Sequence, residues 1–462
     1  MASSGAGEAP ARGPDGVGGG GRVASPERLD RPFADPLFSR LFPPLATGVH
    51  WGLDRTRAAL AALGNPQDAY PTVHVGGTNG KGSVASSVAA ALTHAGFSAA
   101  CYTSPHLCSF RERFTVRGEA LPEATLEARA EEIRDVVVAH GLTFFEAITV
   151  LAFHAFAREE VEVAAVEVGL GGRLDATNVL RPLVTAVTNV ALDHADYLGD
   201  TLPEIAGEKA GIIKAGVPFV TAESDPELLA LFRRVCRERG AGPMVVVDPA
   251  ADVRELEVEA DHTAFTLATR AWGDLRLRTP LVGRHQAVNA AVAVEVLEHL
   301  PDALRPGADA VLEGIASVRH PGRDQIEVVD GTTWLFDVAH NTAGIRSLVD
   351  TMERVELPAP RVALVAVLGD KDWRSMLPPL LDRVERAVLT QAPSAPPERR
   401  WSTADALAAV EPRIPCSVEP DFLAALEAAR TAARGGTVVV TGSCHTVGSA
   451  LKALGREPLR AG

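Results

Sequence analysis

The stretch Pro71-Thr72-Val73-His74-Val75-Gly76-Gly77-Thr78-Asn79-Gly80-Lys81-Gly82-Ser83 decides how the rest of the chain is read. Its first five residues form an extended, mainly apolar run. An alanine-rich helical run follows from Ser83 to Ala95 and is stopped by Gly96. Strand, glycine-rich loop, helix is the setting in which backbone N–H groups wrap a polyphosphate. Glycines let the backbone approach phosphate oxygens closely. Lys81 is placed to reach the outer phosphates, and the Ser83 hydroxyl to lie near a metal. The strict pattern has Ser or Thr directly after Lys and Gly at position 75; here Gly82 intervenes and residue 75 is Val. A plain glycine-rich turn after a strand is the competing reading.

Composition sets the limits around this loop. A chain of 462 residues predicts two to three domains with ample core. An apolar content of 46% and a charged content of 23% are ordinary for a globular protein. The formal net charge of −14 argues against a general nucleic-acid or anionic-membrane binder, though not against a local basic pocket. The five cysteines (101, 108, 236, 416 and 444) are odd in number and scattered, with no Cys-x-x-Cys. Neither a disulfide framework nor a zinc knuckle is suggested, and a reducing cytoplasm fits best. No uninterrupted apolar run approaches membrane-spanning length. Residues 1–28, rich in Gly, Ala, Pro and Ser, lack the apolar core of a signal peptide and read as a disordered tail. Glu8 and Asp15 weigh against a transit peptide.

From Val73 onward the pattern alternates. Strand-like runs at Ala99–Thr103, Val163–Val168, Val184–Val190 and Val217–Thr221 are separated by helical patterns at Glu123–His140, Phe144–Arg158 and Pro203–Lys214. Alternation of this kind predicts a doubly wound, mainly parallel α/β sheet of P-loop type. Val245–Val247, Val253–Val258 and Ala264–Leu267 read as shorter, more antiparallel strands, followed by a helix at Gln286–Leu300. A second alternating unit, with strands at Trp334–Asp337, Ala363–Leu368, Ala387–Thr390 and Thr437–Thr441, predicts a smaller Rossmann-like α/β domain. The expected division is 1–28 tail, 29–319 first domain and 320–462 second domain.

Ligands of open α/β sheets collect at the carboxyl ends of the strands. Ser104 follows one such strand, and its plainer reading is a turn serine before proline. Glu167 lies in the apolar run Ala164-Ala165-Val166-Glu167-Val168, where a carboxylate is costly unless paired or bound to a metal. His194 follows another strand in Leu192-Asp193-His194. Three such positions beside a phosphate loop suit a magnesium site, although magnesium prefers oxygen ligands and the histidine is unusual on chemical grounds. Lys209 sits among Ala206, Gly207, Ala210 and Gly211. A snorkelling lysine or a partner for Glu208 is the default. Partial burial would instead lower its pKa, and a neutral amine reacts with CO2 to give a carbamate.

Beyond the phosphate loop, the segments Ser104-Pro-His-Leu107, Glu167-Val-Gly-Leu-Gly-Gly-Arg-Leu-Asp-Ala-Thr-Asn178, Leu192-Asp-His194, Glu208-Lys-Ala-Gly-Ile212, Gly283-Arg-His-Gln286 with Asn289, His320-Pro-Gly-Arg323 and Asp337-Val-Ala-His-Asn341 carry a resemblance. From about Trp51 to Val447 the chain resembles the folylpolyglutamate synthase/dihydrofolate synthase family of the Mur ligase superfamily. The resemblance implies that Thr78, Asn79, Gly80, Lys81, Gly82 and Ser83 hold ATP phosphates. It implies magnesium ligands at Ser104, Glu167 and His194, and a carbamylated Lys209. Asn289, Arg323 and Asp337 match ATP-contacting positions, the last two reaching in from the second domain. Leu174-Asp175-Ala176 matches a pterin-contacting segment. Lys81, His194 and Lys209 are then the residues expected to act in catalysis. The family commonly has Gly where this chain has Val338, and Gly442-Ser-Cys-His-Thr-Val447 resembles the bifunctional bacterial enzymes.

The activity implied is ATP-driven amide formation between L-glutamate and dihydropteroate or a folate, through an acyl phosphate, in a monomer. A monovalent cation such as K+ is a further cofactor the sequence leaves open. Two rival readings compete with it. A GTPase-type switch needs an Asn-Lys-x-Asp motif, and the chain has none. A peptidoglycan-type amino-acid ligase carries a nucleotide-sugar domain before the loop, and the roughly 48 ordered residues available here are too few for one.

Overall fold

The expected strand before the glycine loop forms as β1 (Thr72–Gly76), buried along its whole length. In this computed structural model the described residues are 36–42, 45, 52–410 and 413–459, so the predicted tail at 1–28 lies outside them. Around β1 stand β2 (Ala99–Tyr102), β3 (Phe114–Val116), β4 (Glu119–Ala120), β5 (Val163–Glu167), β6 (Val184–Val187), β7 (Phe219–Thr221) and β8 (Met244–Val246). Their spatial order is β4-β3-β2-β5-β1-β6-β7-β8. All pairings from β2 to β8 are parallel, while β3 and β4 add an antiparallel edge. Buried strands read as continuous Val/Ala runs because both faces are covered.

The two faces hold separate cores. One packs the helix Lys81–His94 with the helix Arg284–Glu298 against β1, β2, β5 and β6. The alanines of Lys81–His94 are explained by crowding: a Cβ on Gly314 of the helix Ala308–Ser317 would come within 2.3 Å of Ala91 Cα. The opposite face packs the helices Glu123–Ala139 and Phe144–Arg158. Thr143 and Glu146 form a capping box at the start of the latter, and Arg55 meets Glu146 at 3.0 Å.

An antiparallel sheet of β9 (Arg254–Val258), β10 (Thr263–Thr269) and β11 (Gly273–Thr279) joins the first core through Phe265, Leu275 and Leu277. The last sheet contains β12 (Gln325–Val329), β13 (Thr332–Phe336), β14 (Arg361–Val365), β15 (Arg386–Leu389), β16 (Cys416–Val418) and β17 (Thr437–Thr441), in the order β12-β13-β17-β14-β15-β16. Only β12 runs antiparallel. The two sheet units dock directly: Cys108 of the first is buried in the core of the second, its thiol 3.5 Å from Gly448 O.

Several expectations need correction. The sequence of residues 245–247 reads as one of the more antiparallel strands, but β8 pairs parallel with β7 as the edge of the first sheet. The run 184–190 leaves the sheet at Val187, because Thr188 and Asn189 turn to bind the glycine loop. The helix expected over 203–214 ends at Lys209 and tightens into a 3₁₀ turn at Ala210–Ile212. Strands β3, β4, β11, β12 and β16 were not foreseen; β3, β4 and β16 are two or three residues long, too short for a periodic signal.

Candidate active site

The glycine loop is shaped by its neighbours as much as by its own residues. Gly77 has φ +137° and Gly80 has φ +85°, conformations that favour glycine. A Cβ on Gly77 would lie 1.9 Å from Thr188 Oγ1, and one on Gly80 would lie 2.3 Å from Asn289 Oδ1. The loop after β6 braces it. The Thr78 N–H donates to Asn189 O at 2.9 Å, the Asn79 N–H to Asn189 Oδ1 at 3.1 Å, and Thr188 Oγ1 to Asn79 O at 2.6 Å. Lys81 Nζ donates to Thr78 O at 3.1 Å, folding the ammonium back over the loop. Ser83 Oγ is buried and has no hydrogen-bond partner among the described residues.

The carboxyl ends of β5, β6 and β2 deliver the next groups. Glu167, the last residue of β5, is 3% exposed, and its Oε2 accepts the Ser104 N–H at 2.8 Å. Burial raises its carboxyl, while Lys81, the Ser104 amide and Arg323 oppose the rise. His194 stands after β6 in a left-handed conformation, φ +53°. Burial pushes its imidazole down to about 4, against the pull of Asp193 and with help from Lys371. Lys209 ends the helix Leu202–Lys209 and is 3% exposed, its Nζ donating to Gly77 O at 2.9 Å. Burial lowers its ammonium to about 7, Lys81 adds to the fall, and Asp193 opposes it.

The second unit closes the cleft. Asp337, just after β13, accepts N–H bonds from Asp324 at 3.0 Å and Ala339 at 2.8 Å. Asn341 caps the helix Thr342–Arg354 by accepting the Gly344 N–H at 2.8 Å. Its amide also pairs reciprocally with Asn79 of the glycine loop at 3.1 and 3.3 Å. The cleft encloses about 1030 Å³ in part open to solvent. Lys81, Ser83, Ser104, Glu167, His194, Lys209, Asn289, Arg323 and Asp337 all line it.

A strand–glycine-loop–helix cradle, roofed by an Arg and an Asp from a second sheet unit, coincides with the sequence relationships. The chain matches the Mur ligase middle domain over residues 75–297 and the Mur ligase glutamate ligase domain over residues 322–444. It is 35% identical over 349 residues to the dihydrofolate synthase/folylpolyglutamate synthase of Bacillus subtilis (strain 168), covering 72% of this chain and 79% of that protein. The chain belongs to the folylpolyglutamate synthase/dihydrofolate synthase family. A protein of the same description from Mycobacterium tuberculosis is 32% identical over 461 residues, covering 89% of this chain and 92% of that one. The solved Mycobacterium tuberculosis folylpolyglutamate synthase complexed with ADP superposes with a TM-score of 0.81 at 32% identity, over 88% of this chain and 95% of that one. Escherichia coli FolC in complex with DHPP and ADP gives 0.79 at 32% identity, over 92% and 98%.

Of the residues this family membership brings forward, Leu174, Asp175 and Ala176 lie outside the cleft lining. Asp175 Oδ1 accepts from Thr177 N at 3.0 Å and Oδ2 from Leu170 N at 2.8 Å, so its carboxylate pins the turn that carries Gly169 to Gly171 into the cleft. Sequence reasoning missed Asp193, His340, Asn341 and Lys371. Asp193 Oδ1 meets Lys371 Nζ at 2.5 Å, and Oδ2 meets His340 Nε2 at 3.2 Å and Asn341 Nδ2 at 3.1 Å. Burial would raise this carboxyl, but His340, His194 and Lys371 outweigh it and hold it far below the usual range. Asp193, His194 and His340 bring ligand atoms within 4.8 Å of one another, yet the Lys371 ammonium already occupies that carboxylate. Asp193 stood in the motif Leu192-Asp193-His194, but only its neighbour was singled out. His340 and Asn341 stood in Asp337-Val-Ala-His-Asn341, and the signal was their polarity directly after a buried strand.

Proposed function

We propose that the protein is an ATP-dependent ligase that joins L-glutamate to dihydropteroate, to the glutamate tail of reduced folates, or to both. The observation that carries this reading is the convergence in one cleft of the glycine loop with Lys81, the buried Glu167, and Arg323 and Asp337 from the second sheet domain. The substrate carboxylate attacks the γ-phosphorus, the bond to ADP breaks, and an acyl phosphate forms. The glutamate amine then attacks the acyl carbon, loses a proton, and phosphate leaves. Lys81 offsets charge on the transferring group, and loop N–H groups hold the remaining phosphates; positioning and electrostatics supply most of such catalysis.

Ser104, Glu167 and His194 would hold magnesium. The orphaned Ser83 hydroxyl and the buried, nearly unpaired Glu167 carboxylate suit a hard cation beside phosphate oxygens. Bound there, magnesium would supply neutralising charge to the phosphates. Thr78 to Ser83, Asn289, Arg323 and Asp337 would contact ATP, and Leu174 to Ala176 would shape the pterin pocket from behind. Lys209 would carry a carbamate, which suits an amine that burial keeps about half neutral near pH 7. A division at 319/320 would place the eight-stranded sheet in one domain and the six-stranded sheet in the other, and domain closure would exclude water from the acyl phosphate. A single chain builds the whole cleft, which favours a monomer, and five free cysteines with a net charge of −14 favour a cytoplasmic enzyme of small-molecule substrates, without nucleic-acid or membrane partners.

Purified protein with ATP, magnesium and L-glutamate, offered dihydropteroate or a reduced folate separately, tests the reading, with and without K+. Glutamylated product by mass and stoichiometric phosphate support it. ATP hydrolysis with neither acceptor glutamylated would overturn it.

A further inference from the structure

Asp193 belongs to the first sheet unit, yet its closest side-chain partners all come from the second. Its carboxylate is 6% exposed and takes Lys371 Nζ on one oxygen and His340 Nε2 and Asn341 Nδ2 on the other. Lys371 is itself only 7% exposed, so water reaches little of either charge of the pair. The His340 ring is tethered at its far nitrogen to Val338 O at 3.0 Å. Asn341 continues the chain of contacts to Asn79 in the phosphate loop. Three donors from two separate loops of the second domain thus converge on one carboxylate beside the phosphate loop. Within its own unit, among the described residues, the carboxylate has only the His194 N–H at 2.9 Å and the His194 ring at 3.8 Å. A buried charge whose closest side-chain partners lie across a domain interface is costly to strand, because removing them leaves it under-compensated.

We propose that Asp193 is a positioning residue, a clamp that fixes the second domain over the phosphate loop with Lys371 as its principal counter-charge. A metal-ligand role for Asp193 is disfavoured by the ammonium 2.5 Å away, which a cation would have to displace. The clamp acts on geometry: it sets where Arg323 and Asp337 stand relative to the glycine loop. It goes beyond the ligase reading, since domain seating and nucleotide binding are measured without any acceptor substrate.

The test uses the full chain with Asp193→Asn, Lys371→Met, Lys371→Arg and the double variant Asp193→Asn/Lys371→Met. Amide exchange is followed at Gly344 and Ile345, which begin the helix capped by Asn341, and ADP binding is measured by calorimetry. Each single removal should speed exchange there and weaken ADP by about tenfold, and the double variant should be no worse than the weaker single, because both remove one shared contact. Lys371→Arg should stay near the parent. Should Asp193→Asn fail to fold, Lys371→Met carries the test from the other side of the interface. Unchanged exchange in Lys371→Met, or losses that multiply in the double variant, would overturn the clamp. An effect of Asp193→Asn without one of Lys371→Met would overturn it too, assigning the carboxylate to the ligand side.

Discussion

Stripping carbon dioxide from the protein should silence it, and Lys209 is the reason. At its ordinary value of 10.5, roughly one lysine amine in 3000 is neutral at pH 7; at the value of about 7 imposed by burial and by Lys81, about half are neutral. The pool of amine able to attack CO2 therefore grows by roughly a thousandfold. Since the neutral form gains as pH rises through about 7, carbamate occupancy should climb between about pH 6 and pH 8. The sign for stability follows. The unfolded chain binds the extra proton between about 7 and 10.5, so the unmodified protein gains stability as pH rises across that window and loses it as pH falls toward 7. Protein equilibrated with carbon-13 bicarbonate should show one carbamate carbonyl resonance, absent in Lys209→Arg, and its intensity should track ligation activity on removal and return of bicarbonate. Lys209→Ala also strands Gly77 O, at a cost of about 1–3 kcal/mol, so thermal unfolding is measured alongside. Rescue of that variant by formate or acetate would separate catalysis from stability. Full activity in CO2-free buffer with no carbamate signal would refute the reasoning and leave Lys209 as a donor to the loop.

Lys81→Ala should lower ligation on the order of a hundredfold or more with an unchanged melting temperature, since its ammonium bonds only Thr78 O among the loop groups; near-parent turnover in a folded variant would contradict the phosphate-loop assignment. Glu167→Gln should raise the magnesium concentration needed for half activity, whereas an unaltered magnesium profile would reduce Glu167 to an acceptor for the Ser104 amide. Gly80→Ala should raise the KM for ATP and destabilise by about 1–2 kcal/mol, because φ +85° strains any Cβ and that Cβ would meet Asn289 Oδ1 at 2.3 Å; ATP titration and thermal unfolding check both halves.

How legible the site was depended on how local each residue's signal is. Lys81 and Ser83 were readable because a strand, four glycines and a helix start are contiguous. Glu167 was readable because a carboxylate in a Val/Ala strand breaks the burial pattern, and the structure places it at the strand's carboxyl end, where a parallel sheet exposes its ligand-facing edge. Asp175 looked equally prominent, but its oxygens are consumed by its own turn. Charge in a motif does not say which way the charge faces.

By itself, the sequence determined the alternation of elements, the strand–glycine-loop–helix unit and the family, since periodicity, glycine placement and contiguous motifs are properties of neighbouring residues. Only the tertiary structure decided that Asp193 meets Asn341 and Lys371, 148 and 178 residues further along the chain. It also decided that Thr188 and Asn189 brace the loop about 110 residues before them. Such pairings leave no periodic trace, because they arise from how two separate sheets dock. A buried carboxylate finds its partners through that docking, and no local rule of helix or strand can supply them.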